Sequence, residues 1–167
     1  PLLPCLFEDC EGAFDVRIKY WRLVATLFSE SYAKTIHEFC EKHNKKFTGH
    51  LLLEEDMRLQ MISNGAVMPS YQYFDIPGID MLTLIKEPGT AIIAPYQVAS
   101  VAHQFGKKAV LTESFAACGH GADFDDLAAV FSWQAVRGAT LLCLHLSPYS
   151  MRGLRKRDYP PAIGPQQ

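Results

Sequence analysis

Four short, nearly continuous apolar runs constrain this chain more than any other feature: residues 47–52, 78–84, 107–112 and 140–144. Stretches of helical periodicity separate them. A strand covered on both faces reads as an unbroken apolar run rather than as an alternation. Strands alternating with helices imply βαβ units, right-handed crossovers and a parallel sheet. The expected class is therefore α/β, built from parallel βα repeats. In such folds the chemistry gathers at the carboxyl ends of the strands. Here those ends carry Glu54, Glu113 and His145.

The helical stretches are legible from spacing. From Val16 to about His43 apolar residues fall at Tyr20, Leu23, Val24, Leu27, Phe28, Ile36, Phe39 and Cys40, which predicts one long helix or a closely spaced pair. Asp15 is the expected N-cap, and Asn44 can take the left-handed stop. The first 14 residues read as a strand and its loop. A short helix is expected over 57–63, stopped by Asn64-Gly65, and then an irregular segment over 64–78. Further helices are expected over 91–105 and from the cap Asp123, where Asp126 completes a capping box and Gly138 ends the turn. Residues 147–167 read as loop.

The 167 residues suffice for one domain; 49% are apolar and 20% charged, so a core can be buried. A net charge of -2 provides no global basic field for nucleic acid or anionic membrane. No apolar run approaches the length of a membrane span. The five cysteines are odd in number, scattered and without a C-x-x-C, which suits free thiols in a reducing, cytoplasmic setting. No signal peptide is visible in this stretch. Neither G-x-G-x-x-G nor a Walker lysine motif occurs, so nucleotide-binding folds have no fingerprint here. An eight-stranded barrel needs about 250 residues. Four or five strands in 167 residues therefore imply a small open sheet or part of a barrel. The ragged start, Pro-Leu-Leu-Pro, and the loop-like end favour a piece of a larger multidomain chain.

Two carboxylates beyond parallel strand ends match the machinery of glycoside hydrolysis, in which one protonates the leaving oxygen and the other activates water or attacks the anomeric carbon. Glu54 and Glu113 are the candidates. Glu55 and Asp56 stand beside Glu54 and compete with it, since acids also favour helix starts. His50, Asp80 and His145 sit in or at the ends of strands, as pocket residues or as buried polar groups with partners. Tyr71, Tyr73 and Phe74 form either a stacking wall for a sugar or the packing of a long loop. His120 lies in a Gly-rich turn. A metal site of His50, Glu113 and His145 lacks any H-x-H or H-E-x-x-H spacing.

Three stretches together resemble the catalytic (β/α)8 region of bacterial α-L-rhamnosidase-type glycoside hydrolases and their uncharacterised relatives. The first runs from Tyr20-Trp21 through Phe47-Thr-Gly-His-Leu-Leu-Leu-Glu54. The second comprises Pro77-Gly-Ile-Asp-Met-Leu82, Ala99-Ser-Val-Ala-His103 and Thr112-Glu-Ser-Phe115. The third comprises His145 through Tyr149-Ser150 and Arg155-Lys-Arg-Asp-Tyr-Pro-Pro161. The resemblance implies a partial TIM barrel over residues 1–167, about half to five-eighths of one, completed by the remainder of a parent chain. It implies hydrolysis of a terminal deoxyhexose such as α-L-rhamnose, with Glu54 as acid and Glu113 as base or nucleophile and with no cofactor. His50, Asp80, Tyr71, His145 and Tyr149 would contact the sugar. The competing expectations are a carbohydrate-binding protein on a degenerate barrel, and a metal-dependent hydrolase.

Overall fold

The computed structural model describes residues 2–83, 93–145 and 152. It is an α/β structure with one four-stranded parallel sheet. The strands are β1 (Thr48–Gly49), β2 (Ile76–Asp80), β3 (Leu111–Ser114) and β4 (Leu141–Leu144), hydrogen-bonded in chain order β1-β2-β3-β4. The helices are α1 (Ala13–Phe28), α2 (Thr35–Lys42), α3 (Met57–Asn64), α4 (Met68–Tyr71), α5 (Ile93–Gln104) and α6 (Phe124–Ala135). The expected alternation is thus present, and every paired strand is parallel.

A π-helical segment, Ser29–Lys34, joins α1 to α2, so residues 13–42 form one helical rod. Its buried face differs from the expected one. Tyr20, Leu23, Leu27 and Phe39 are exposed, whereas Ala13, Ala25, Ser29 and Ala33 are buried. Ala25, Ser29 and Ala33 recur every four residues, and small side chains there let other elements approach closely. The Ser29 hydroxyl donates to the Pro69 carbonyl at 2.7 Å. A Cβ on Gly65 (φ 74°) would lie 2.5 Å from the Ala25 backbone, so the end of α3 closes onto α1 only through a glycine.

Several boundaries also move. The amino-terminal stretch forms a 3-10 turn at Leu3–Leu6 rather than a strand, and Gly12, not Asp15, precedes α1. The 64–78 segment contains α4 and the start of β2. β1 has two residues rather than six. β3 begins later than its apolar run, because the chain first closes α5 with the Lys107 N–H on the Ala102 carbonyl. Asn44 does take the left-handed conformation after α2 (φ 53°), and Asp123 caps α6 with the reciprocal Asp126 box. On the helix-facing side of β3, Thr112 and Ser114 are fully buried. Their hydroxyls meet at 3.0 Å, and Ser114 continues to Gln134 of α6 at 3.1 Å.

The main core gathers Leu51, Val67, Tyr71, Phe74, Ile79, Met81, Val98, Val101 and Val110 beneath the sheet and α5. Gly78 sits where strands crowd: a Cβ there would lie 2.6 Å from the Gly49 carbonyl oxygen and 3.1 Å from the Leu111 side chain. β1, β2 and β3 can therefore lie side by side only with glycine at this position. That close approach sets the spacing of the groups at the strand ends.

Candidate functional site at the carboxyl edge of the sheet

His50, Asp80, Glu113 and His145 come from four different strand ends. His50 follows β1, Asp80 closes β2, Glu113 lies one residue from the end of β3, and His145 follows β4. Asp80 and Glu113 are register partners, and Glu113 is in turn the partner of Cys143. Paired residues on parallel neighbours project to the same face. The two carboxylates are therefore held side by side, which their like charges oppose.

His50 resolves that opposition. Its Nε2 lies 2.8 Å from Glu113 Oε2, and its Nδ1 lies 3.2 Å from the Leu51 carbonyl and 4.0 Å from Asp80 Oδ2. Burial alone would lower the His50 pKa. The Leu51 carbonyl and the charges of Glu54, Asp80 and Glu113 outweigh it, and the pKa is raised. Asp80 is raised chiefly by burial, with His50 and His145 pulling down and Glu113 and Glu55 pushing up. The side chains of His50, Asp80 and Glu113 remain 31%, 34% and 23% exposed, enough for a ligand to reach them. Asp80 Oδ1 is buried and has no hydrogen-bond partner among the described residues. The His145 N–H donates to the Ser114 carbonyl at 2.8 Å, which ties the end of β4 to β3.

Glu54 sits behind this group rather than within it. The chain leaves the sheet after Gly49, and Leu53 turns through a left-handed conformation (φ 58°), so strand parity does not set the direction of Glu54. Its side chain is fully buried. Oε1 accepts the Leu51 N–H at 2.6 Å and the Tyr71 hydroxyl at 2.5 Å, and Oε2 accepts the Asp80 N–H at 2.7 Å. Burial pushes the carboxyl up to about 7 against the pull of those three donors and of His50. One buried carboxyl thus links the β1–α3 turn, α4 and the end of β2. Of its neighbours, Asp56 is the cap of α3, accepting from Arg58 and Leu59, whereas Glu55 is half-buried and its charge bears on Asp80 and Tyr71.

Tyr71 is placed in the core, not on a rim. Its ring meets Phe74 edge-on with centroids 5.9 Å apart, and Phe74 stacks on Phe47 at 4.0 Å. Burial and then the Glu54 charge raise the phenol well above its ordinary pKa, so the hydroxyl stays a donor. As placed, neither Tyr71 nor Phe74 offers a face to a ligand, while Tyr73 is half-buried. His120 is exposed in its turn. Tyr149 lies outside the described residues.

Sequence reasoning passed over Gln60 and Gln97. The Gln60 amide donates to the Glu54 backbone carbonyl, and the two glutamines exchange hydrogen bonds at 2.7 and 3.3 Å. A glutamine four residues after a cap, on the inward side of a short helix, was the available signal. Immediately after β3, Phe115 (φ 76°) and Ala117 (φ 53°) both hold left-handed conformations that their side chains disfavour. The Leu82 carbonyl accepts the Phe115 and Ala116 N–H groups at 3.0 and 3.2 Å, fixing this turn beside Glu113.

No group of three or more His, Cys, Asp or Glu residues able to hold a metal ion occurs among the described residues. An open cavity of about 950 Å³ lies between α1, α3 and α4, lined by residues including Phe14, Trp21, Met57, Met61 and Met68. It contains none of the strand-end residues and is apolar where they are charged, so the candidate site is the carboxyl edge. No family model, no curated protein and no solved structure matches the chain.

Proposed function

We propose that this chain carries the catalytic edge of a glycoside hydrolase that removes a terminal deoxyhexose such as α-L-rhamnose. The observation that carries the reading is Glu113: a partly exposed carboxylate at a parallel strand end, with one oxygen 2.8 Å from His50 and Asp80 as its register partner. Glu113 is the base or nucleophile. His50 holds Oε2 and leaves the other oxygen for water or the anomeric carbon. Four parallel strands in sequential order, with helices between them, are what a segment of a barrel would present, and this supports the barrel reading. Among the described residues no strand pairs with the far edge of β4, where Leu141, Leu142 and Leu144 are exposed, and this supports a barrel completed by further strands.

Two carboxyls compete for the role of acid. Glu54, with a pKa of about 7, holds a proton near neutrality as a general acid must. Its oxygens face Leu51, Tyr71 and Asp80, however, so its proton reaches the edge only if the Asp80 turn moves. Asp80 is also raised, is partly exposed and has an oxygen without a partner among the described residues. The closed surroundings of Glu54 favour the second reading, a carbohydrate-binding protein without turnover.

The deciding experiment uses aryl deoxyhexosides with good and poor leaving groups, assayed on the polypeptide that carries this chain. Wild type should turn over both. The acid's amide variant, Glu54→Gln or Asp80→Asn, should lose the poor leaving group and keep the good one, which departs without protonation. Binding without turnover of any aryl glycoside would reject the enzyme in favour of the binding protein.

A further inference from the structure

One face of α1 lines the cavity of about 950 Å³ that lies away from the carboxyl edge. Phe14, Ile18, Trp21 and Ala25 form that face, at the helical spacing i, i+4, i+7 and i+11. Met57 and Met61 of α3 and Met68 of α4 supply the facing wall. At one end α1 and α3 touch, since a Cβ on Gly65 would lie 2.5 Å from the Ala25 backbone. The other end is open: Phe14 and Met57, on the first turns of their helices, are 75% and 64% exposed. The space is a wedge closed at Ala25, within the range of about 300–1,000 Å³ found for small-molecule sites.

The polar groups of the wedge are spent, with one exception. Gln60 is buried and exchanges hydrogen bonds with Gln97 at 2.7 and 3.3 Å, so neither amide needs a ligand. The Arg17 guanidinium donates to the Cys5 and Glu8 carbonyls and to Asp9 Oδ1, each at 3.0 Å. Arg22, next to Trp21, is exposed and lines the same cavity. Among the described residues its guanidinium has no ion pair and no hydrogen bond. An apolar wedge with one uncommitted cation is complementary to a molecule with a long apolar body and one anionic end. Methionine walls, with their rotatable bonds and polarizable sulfur, adapt to a flexible chain.

We propose that this wedge binds a free long-chain carboxylate, its acyl chain between Trp21 and the three methionines and its carboxylate on Arg22. Two parallel N–H donors of the guanidinium match the two carboxylate oxygens. The inference is independent of the glycosidase reading, since no residue of the carboxyl edge lines the cavity.

The test titrates the polypeptide that carries this chain with dodecanoate, dodecanol and dodecyltrimethylammonium, each below its micelle-forming concentration, by calorimetry. Wild type should bind one dodecanoate saturably and more tightly than dodecanol. Arg22→Gln should weaken dodecanoate about tenfold, the scale of a charge-assisted hydrogen bond, and leave dodecanol unchanged. Arg22→Glu should favour the ammonium over the carboxylate. Because Arg22 is exposed and unpaired among the described residues, neither change removes a contact that the fold uses. A bromine-labelled dodecanoate locates the chain by quenching: of the two tryptophans, Trp21→Phe should abolish the quenching and Trp133→Phe should leave it. Absence of saturable binding, the result if another protein segment covers this face, would overturn the proposal. So would a dodecanoate affinity equal in wild type and Arg22→Gln, or quenching that follows Trp133.

Discussion

Glu113→Gln is expected to lower the turnover of an aryl deoxyhexoside by about 10²–10⁴-fold while leaving its affinity within about threefold, because positioned general acid–base groups contribute on that scale. The amide keeps the size of the carboxylate and one oxygen toward His50. It loses the charge and the ability to take a proton or attack carbon. A sugar held by contacts around the edge would still bind. Measuring kcat and an independent dissociation constant separates the two effects. If affinity falls as far as the rate, Glu113 is a binding group. If neither changes, the site lies elsewhere.

Glu54 is expected to have the largest effect on stability. Removing its carboxyl in Glu54→Ala leaves the Leu51 N–H, the Tyr71 hydroxyl and the Asp80 N–H without their acceptor in a fully buried site. Each unsatisfied buried donor costs about 1–3 kcal/mol, so a loss of about 3 kcal/mol or more is expected in denaturant titrations. Glu54→Gln should cost less, since one oxygen remains, but its amide turns a donor toward another donor. The same group makes stability depend on pH. In the folded chain Glu54 keeps its proton up to about pH 7, against an ordinary value of 4.5. Its contribution is full below pH 4.5 and is lost as pH rises through 7, on the order of 3 kcal/mol across that window. His50 and Asp80, also raised, act in the same direction. Glu54→Gln should flatten the decline. Wild-type stability that rises from pH 5 to pH 8, or a decline unaltered in the variant, would refute this account of Glu54.

The parallel sheet was legible because short apolar runs alternate with stretches of helical spacing, although β4 is exposed along its length. The ends at Glu113 and His145 came with it, whereas Asp80, expected inside a strand over 78–84, closes β2. Side-chain direction was not legible. β1 stops at Gly49, so Glu54 belongs to a turn, and no alternation along 47–54 could reveal that it points inward. The long helix was legible from apolar spacing, yet its buried face is built from Ala25, Ser29 and Ala33. The π segment and the close approach of Gly65 favour small residues where hydropathy favoured Leu23 and Leu27. Tyr71 and Phe74 show a further limit. Aromatics in an irregular segment suit a rim or a core equally, and only the proximity of Tyr71 to Glu54, 17 residues apart in sequence, decides for the core.

The coupling of three strand ends through one imidazole is most directly measured as the titration of the His50 ring by NMR. The His50 pKa is expected to lie above the ordinary value of 6.5 and to fall in both Asp80→Asn and Glu113→Gln. A His50 that titrates at or below its ordinary value and is indifferent to both substitutions would contradict the site at the carboxyl edge.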